Sequence, residues 1–436
     1  MSSDNNSQPL YYDIVGFDPR GVGETTPSIS CFPDALSRES WLMQNEALGI
    51  LGSSTDTYSF QQHWYRAKAL AEGCSAAIST TSNGTSAIGE HLNTTPVIRD
   101  MLEIVEQHAH WASAGKTLSD THRKLKYWGF SYGTIIGQTF AAMYPDKVER
   151  MVLDGVCDSE DYYNVPLSVP ASHTRGPDVI TWSDIKSMVR LGMYQPLQFL
   201  ELVADLLTDV TYGNGSAFAD FKLHGHTLSC PSSECKDAGP FSPECNPAGA
   251  NGLDSSAAIL CSDGEWLGDV DEERFQEYWH ALQNQSRVMG DWWAHNRLSC
   301  VGWKVKAKWK FLGPFAANTS NPILWVSNTL DPVTPIGNAR RMAPNYPGSV
   351  ILQQEAEGHC SFAAPSLCTA RTVRTYFQTG ILPTPGTICP ADAKPLVGTV
   401  EGVAGVDAVD ENLMDAMRKV GKVFGDEAKW RRTPFF

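Results

Sequence analysis

The 436-residue chain lacks both an apolar run of membrane-spanning length and an excess of basic residues. A transmembrane helix needs about 20 consecutive apolar residues. Lysine and arginine number 34 against 49 aspartates and glutamates, so the formal net charge is −15, without a block of like charge. This acidity argues against nucleic acid and against an anionic membrane surface as partners. The length permits one large α/β domain with an insertion, or two domains.

The chain also lacks a signal peptide, because its start has neither a basic region nor an apolar core. Zinc-site spacing is missing as well, since Cys230, Cys235 and Cys245 are not closely paired and have no partner histidine motif. Disulfides in an oxidising compartment suit the 11 cysteines better, and we expect no metal or other cofactor. The odd total leaves at least one free thiol, for which Cys157 and Cys360 are the expected candidates.

Asparagine sequons agree with a secretory setting for the full-length form, although they also arise by chance. Six asparagines open N-x-S/T without an intervening proline: Asn5, Asn83, Asn93, Asn214, Asn284 and Asn318.

A glycine-flanked serine is the strongest motif present. Gly129-Phe-Ser131-Tyr-Gly133 is a G-x-S-x-G sequence that follows an apolar run and precedes helical apolar spacing, which ends at Pro145. In a nucleophile elbow the serine sits on a strained turn between strand and helix, where flanking side chains would clash. A chance glycine-flanked loop serine is the alternative, but the strand–elbow–helix–strand context favours an active nucleophile.

Strand–helix alternation surrounds a segment of different character. Apolar runs predict strands at 11–18, 150–155, 322–329 and 349–353, and Thr95-Pro96 predicts the start of a helix. From about 158 to 300 the alternation gives way to helical segments and a Gly/Pro/Ser/Cys-rich stretch. We interpret 158–300 as a mainly helical cap inserted into one mostly parallel α/β core, formed by 1–157 and 301–395, with a helical tail at 396–436.

A serine nucleophile needs a base, and the base needs a group that orients it. Asp331 follows the apolar run 322–329, and His359 follows the run 349–353, so both lie on expected loops in the chain order Ser–Asp–His. Asp331 could instead be a turn residue, and His359 a surface loop residue. Glu355 and Glu357 are weaker candidates for the orienting carboxylate because they share the strand or loop of the histidine.

These motifs carry a family resemblance. The chain resembles the α/β-hydrolases of the tripeptidyl-aminopeptidase-like group, relatives of prolyl aminopeptidases, from about residue 11 to 392. The resemblance rests on 15–23, 128–134, 153–155, Asp331-Pro-Val-Thr-Pro, Gly358-His359 and 380–387. It implies an α/β-hydrolase fold, with Ser131 as nucleophile, His359 as base, Asp331 as orienter and the Tyr132 N–H as one oxyanion donor. It also implies a substrate-restricting cap, cleavage of short peptides from a free N-terminus, and disulfides Cys31–Cys74, Cys261–Cys300 and Cys368–Cys389.

The start of the chain departs from this family pattern. Members carry a glycine-rich loop that supplies the second oxyanion donor, and none of the ten residues before Tyr11 resembles it. Losing one such donor costs about 3–4 kcal/mol of transition-state stabilisation. Two explanations compete: a truncated product, which we favour, or compensation by another element such as the tail.

Three functions therefore compete. The first is a serine exopeptidase acting on small peptides, in which acidic cap residues such as Asp263 and Glu265 either bind the substrate ammonium or are solvated. The second is an esterase or lactonase with the same triad, and the third is a weakly active or inactive hydrolase-fold protein. Oligomeric state cannot be predicted.

Overall fold

The computed structural model describes residues 12, 14–52, 57–79, 87–112, 123–158, 172–173, 176–177, 180–223, 233–239, 242, 252–286, 289–399 and 408–430. Its strands are Leu125–Phe130 (β1), Val148–Asp154 (β2), Ser172–His173 (β3), Gly176–Pro177 (β4), Leu324–Leu330 (β5), Val350–Glu357 (β6), Ile388–Pro390 (β7), Ala393–Lys394 (β8) and Gly398–Thr399 (β9).

Its α-helices are Ala35–Leu48 (α1), Thr57–Ile78 (α2), Thr94–Ala112 (α3), Tyr132–Met143 (α4), Trp182–Tyr194 (α5), Pro196–Thr211 (α6), Ser216–Leu223 (α7), Ser233–Ala238 (α8), Gly252–Asp263 (α9), Glu272–Gln285 (α10), Gly290–Leu298 (α11), Ile336–Met342 (α12), Leu367–Thr379 (α13) and Ala408–Trp430 (α14). None of these helices, within the part of the chain described, combines the length and apolarity needed to cross a bilayer.

A parallel sheet organises the molecule, and in the described residues it has five strands in the order β1-β2-β5-β6-β7. Apolar side chains from β1, β2 and β5 pack with α3, α4 and α12 on one face of the sheet. The other face packs against Val373, Tyr376 and Phe377 of α13. Parallel strands end at a common edge, so the loops that follow β1, β5 and β6 meet there. This is the predicted α/β arrangement, a mostly parallel sheet flanked by helices.

The segment between β2 and β5 is mainly helical, and it packs with helices from early in the chain. Helices α5, α6 and α7 share a cluster of their own. Phe60 and Trp64 of α2 pack against Phe275 and Trp279 of α10. The helices that pack with the predicted cap segment 158–300 therefore include α2, from early in the chain.

The strand predicted at 11–18 is wrong for the residues described there, which are not extended strand. Ile14 is 93% exposed, Val15 60% and Phe17 40%, and only Tyr12 contacts the body, through Phe377. An apolar run is buried as a strand only when neighbouring elements cover it. No described element covers this one, so its apolar character does not produce a buried strand.

The structure describes some of the predicted disulfide cysteines and sequon asparagines, and their outcomes differ. The structure joins the sulfurs of Cys31–Cys74, Cys261–Cys300 and Cys368–Cys389, and Cys157 and Cys360 are free buried thiols. Asn93 is fully buried and its amide donates to the Trp309 carbonyl, so this sequon is inaccessible in the fold. Three other sequon asparagines are exposed, at 214, 284 and 318. The sequons at 5 and 83, and Cys230 and Cys245, lie outside the described residues.

The predicted tail helix packs on the body rather than standing free. Helix α14 contacts α13 and the short turn Ser361–Ala363 that follows His359. Arg371 pairs with the buried Asp410 of α14. Gln198 of α6 donates to the Gly421 carbonyl, so α14 also touches the cap segment.

Candidate active site

The elbow geometry follows from the close packing around Ser131. The serine has φ +51° and ψ −118°, outside the ordinary regions for a non-glycine residue, between β1 and α4. A Cβ at Gly129 would lie 2.5 Å from the Tyr127 ring and 2.6 Å from the Gly133 carbonyl oxygen. The flanking glycine therefore permits the tight turn that lifts the serine to the edge of the sheet.

Asp331 and His359 are brought together as the loop positions predict. His359 Nδ1 lies 3.0 Å from Asp331 Oδ2, and both side chains are almost completely buried. The Val333 and Thr334 N–H groups donate to Asp331 Oδ1, while the Thr334 hydroxyl and the Cys360 N–H donate to Oδ2. Burial alone would raise the pKa of Asp331, but His359 and these donors outweigh it and lower the pKa below its usual value. The carboxylate is therefore ionised and held in one orientation.

The remaining reactive atoms are buried and unbonded. Among the described residues, neither Ser131 Oγ nor His359 Nε2 has a hydrogen-bond partner, and Ser131 is 9% exposed. Because Nδ1 faces Asp331, Nε2 is the ring nitrogen left to accept a proton. Glu355 is exposed on β6, and Glu357 leaves one carboxylate oxygen without a partner, so neither replaces Asp331 beside the ring.

Asp154, at the end of β2, connects the elbow to the histidine loop. Its carbonyl accepts from the Ser131 N–H at 3.0 Å, and its carboxylate accepts from Ser361 N at 2.8 Å and Ser361 Oγ at 2.5 Å. Burial raises the pKa of Asp154 to about 6, although its bonds to Ser361 oppose the shift. Asp154 was not predicted as a site residue, although it lies in the motif 153–155 and at the end of a buried strand.

The cap segment touches the histidine directly. The backbone carbonyl of Tyr194, the last residue of α5, accepts the backbone N–H of His359 at 2.9 Å. The rings of Tyr194 and His359 meet edge to face, with their centroids 5.2 Å apart. Gly358 has φ +100°, and a Cβ there would lie 2.5 Å from Pro196 Cδ. The sequence analysis missed Tyr194, because nothing local in 182–196 indicates that this helix ends on the histidine.

Tyr132 is the first residue of α4, where backbone N–H groups point out of the helix end. Its side chain helps to line a cavity of about 710 Å³ between the sheet edge and residues 259–278, whose walls also include Phe275, Phe311 and Lys310. Ser131, Asp331 and His359 are not among the residues that line this cavity.

The two acidic cap candidates differ in environment. Asp263 is half-buried: Thr94 N donates to its Oδ1 at 2.8 Å, the Thr94 hydroxyl donates to its Oδ2, and burial raises its pKa to about 6. Glu265 is exposed, and both residues line the cavity. Glu265 is the more accessible of the two carboxylates.

Comparison with known proteins agrees with this geometry. The family model described as alpha/beta hydrolase fold matches residues 3–175, and the one described as TAP-like protein matches residues 286–389. Tripeptidyl aminopeptidases of Streptomyces lividans and Streptomyces coelicolor are each 25% identical, over 88% of this chain and 71% of theirs. Serine protease Hip1 of Mycobacterium tuberculosis is 29% identical over 34% of this chain and 24% of its own.

The two family matches leave residues 176–285, most of the predicted cap segment, unmatched, and they contain the elbow and both loops that follow β5 and β6. The fold class predicted from the sequence is confirmed by the alpha/beta hydrolase match and by the parallel sheet flanked by helices. The chain thus combines an α/β-hydrolase core with a segment that matches the TAP-like family model, and it is similar over most of its length to tripeptidyl aminopeptidases.

Proposed function

We propose that the protein is a serine exopeptidase that releases short peptides or amino acids from substrate N-termini through an acyl-enzyme on Ser131. The observation that carries this proposal is the His359 ring. Its Nδ1 contacts a buried carboxylate at 3.0 Å, while its Nε2 is buried and has no hydrogen-bond partner among the described residues. A ring held in this tautomer can take a proton at Nε2 and no other position.

In the proposed reaction, Ser131 Oγ attacks the scissile carbonyl and passes its proton to His359 Nε2. Asp331 stabilises the imidazolium that forms, and the Tyr132 N–H donates to the oxyanion. His359 then returns the proton to the leaving amine. Water, activated by the same nitrogen, attacks the acyl-enzyme ester and releases the acyl product.

Support for a peptide substrate comes from the relatives and from the covered site. Relatives with matches over most of this chain are named tripeptidyl aminopeptidases. The cap segment meets His359 through Tyr194 and closes the cavity beside Tyr132. A covered site of this kind favours short chains with a free end over internal segments of a folded protein. The exposed Glu265 carboxylate at the cavity is the proposed partner of the substrate ammonium.

The proposed setting is the secretory pathway of the full-length form. The three disulfides among the described residues and the exposed sequon asparagines at 214, 284 and 318 support it. Mass mapping of the protein from its native source tests this proposal: glycans at these asparagines are expected, and unmodified asparagines with reduced cysteines would contradict it.

The function is tested with a substrate panel on the protein and its Ser131→Ala variant. Aminoacyl- and tripeptidyl-arylamides with free N-termini are compared with their N-acetylated forms and with simple aryl esters. The proposal predicts arylamide cleavage that requires Ser131. This cleavage should fall at least tenfold on acetylation of the substrate, because acetylation removes the ammonium group that Glu265 is proposed to bind. Glu265→Gln is expected to raise KM for the free substrates and to leave KM for the acetylated ones unchanged.

Each alternative gives a different pattern in this panel. Ester hydrolysis without arylamide cleavage would replace the peptidase with an esterase or lactonase. Equal cleavage of free and acetylated peptides would reject the exopeptidase assignment. Absence of any Ser131-dependent turnover would leave an inactive hydrolase-fold protein.

A further inference from the structure

A hydrogen-bonded link joins the cap segment to the residue that follows the elbow serine. Thr94, the first residue of α3, stands in the middle of it. Its hydroxyl lies 2.6 Å from the Tyr132 hydroxyl and donates to Asp263 Oδ2, and its backbone N–H donates to Asp263 Oδ1 at 2.8 Å. Asp263 therefore reaches the Tyr132 side chain through Thr94, and the carboxylate and the phenol also interact directly. Tyr132 is the residue proposed to supply an oxyanion N–H.

The direction of these bonds is fixed by the number of protons. The Thr94 hydroxyl gives its one proton to Asp263, so it accepts the proton of Tyr132. Burial, and then the nearby Asp263, raise the pKa of Tyr132 well above its usual value, so the phenol keeps that proton. The Tyr132 side chain is thus held by a chain of donors that ends on a carboxylate.

The Asp263 carboxylate belongs to the end of α9 but contacts the start of α3. Asp263 is the last residue of α9, where the helix dipole disfavours a negative charge. Its carboxylate instead sits at the start of α3, where backbone N–H groups lack intrahelical acceptors and favour an anion. Removing Asp263 therefore disturbs the start of α3 and the Tyr132 phenol more than α9 itself.

The chain around Asp263 is fastened on both sides. Cys261, two residues earlier, is disulfide-bonded to Cys300. Arg297 of α11 donates to the carbonyls of Leu260 and Glu265, at 3.5 and 2.5 Å. A carboxylate supported in this way can fix its partners in place instead of moving with them.

We propose that Asp263 is a positioning residue: through Thr94 and the Tyr132 phenol, it holds the Tyr132 N–H where the oxyanion forms. Asp263 does not touch the reacting atoms. The inference rests on the proposed function, because it assumes that Ser131 is the nucleophile and that Tyr132 supplies an oxyanion donor. The proposal implies that the position of the cap segment affects the rate of the chemical step.

The test uses a fluorophosphonate probe, whose phosphonyl oxygen occupies the oxyanion position when Ser131 is modified. The maximal labelling rate, kinact, and the half-saturating concentration, KI, are measured for the whole protein and for Asp263→Ala, Tyr132→Phe and the double variant. A 1 Å misplacement of an active-site group can cost about 100-fold in rate. We expect Asp263→Ala and Tyr132→Phe each to lower kinact about 10- to 100-fold, with KI changed less than about threefold.

The double variant separates positioning from general support of the fold. If Asp263 acts through the phenol, the double variant labels about as slowly as the slower single variant, because the two changes break one chain of bonds. A purely structural role predicts that the two losses multiply, and this result would overturn the proposal. Thr94→Val, which keeps both the carboxylate and the phenol, replaces Asp263→Ala in the cycle if that variant does not fold.

Asp271→Ala is the matched control, since Asp271 caps α10 by accepting from Arg274 N but has no bond to Tyr132. Its kinact is expected to equal that of the parent protein; an equal loss in Asp271→Ala and Asp263→Ala would reject the positioning role. Failure of the parent protein to label, or equal labelling of Ser131→Ala, would instead refute the proposed function itself.

Discussion

Replacing Asp331 with asparagine reverses the polarity of the hydrogen bond to His359 while keeping the shape of the side chain. The structure fixes which way the new amide turns. Asp331 Oδ1 accepts two backbone N–H groups, from Val333 at 2.9 Å and Thr334 at 2.8 Å, so the amide oxygen stays at that position. The NH₂ group then takes the Oδ2 position, 3.0 Å from His359 Nδ1.

The consequence is a change of tautomer. An NH₂ group at this position that donates to Nδ1 leaves the ring proton on Nε2, and Nε2 then cannot accept the serine proton; the amide oxygen at the Oδ1 position, 3.1 Å from Nδ1, competes by accepting from the ring N–H. The same change in another serine protease lowers kcat by about 10⁴, which corresponds to about 5.5 kcal/mol at 1.36 kcal/mol per factor of ten. The Cys360 N–H also loses its acceptor on Oδ2. An unsatisfied buried donor costs about 1–3 kcal/mol of folding stability.

We therefore expect Asp331→Asn to fold with a lowered melting temperature and to lose about 10⁴-fold in kcat on an arylamide that the parent protein cleaves. Denaturant titration measures the stability, and arylamide release at saturating substrate measures kcat. A folded variant that keeps more than about a tenth of the parent kcat would refute the role given to Asp331. Glu355→Gln, an exposed carboxylate on β6, is the control and is expected to keep the parent kcat.

Three further predictions follow from named contacts. Asp154→Asn weakens both bonds to Ser361 and should lower kcat about tenfold; an unchanged kcat would exclude a role in holding the histidine loop. Burial lowers the pKa of His295 from 6.5 to about 4, so unfolding stability is lost as the pH falls below 6.5. Between pH 6.5 and 4.5, denaturant titrations should show that the free energy of unfolding falls by about 2 kcal/mol less in His295→Asn than in the parent protein. An equal fall in both proteins would contradict the lowered pKa. Gly358→Ala places a Cβ against Pro196 at φ +100° and should cost about 1–3 kcal/mol; calorimetry showing an unchanged melting temperature would refute this strain.

The parts of the site that could be predicted are those with local sequence signals. Ser131 stands in a motif whose glycines reflect close packing, and Asp331 and His359 each follow an apolar strand in the order that the fold requires. The strands were recognised because a buried parallel strand is a continuous apolar run. Because the strands are parallel, the three loops that follow them lie at one edge of the sheet, and no other sequence signal is needed to predict this.

Residues that act through distant contacts gave no such signal. Asp154, Tyr194 and Asp263 meet partners that are from 165 to 207 residues away in the chain. Asp154 lies in the motif 153–155 and Asp263 was a candidate ammonium ligand, but the flanking sequence indicates the contact partners of none of the three residues. Helix α2 is different, because its buried residues recur at spacings of three and four: Phe60, Trp64, Ala67, Ala71, Cys74 and Ile78. That pattern could have revealed the helix.

The segment 11–18 shows the opposite error. Its apolar run suggested a buried strand, yet Ile14 and Val15 are largely exposed. Periodicity reports what a segment can bury, while the actual burial depends on which elements pack against it.

The most direct test of the account is identification of the residue that carries a covalent adduct after reaction with a fluorophosphonate. Peptide mapping by mass spectrometry is expected to find one adduct per chain, on the peptide that contains Gly129-Phe-Ser131-Tyr-Gly133, and no adduct in Ser131→Ala. Labelling at any other residue, or none under conditions where the protein cleaves an arylamide, would contradict the claim that Ser131 is the nucleophile.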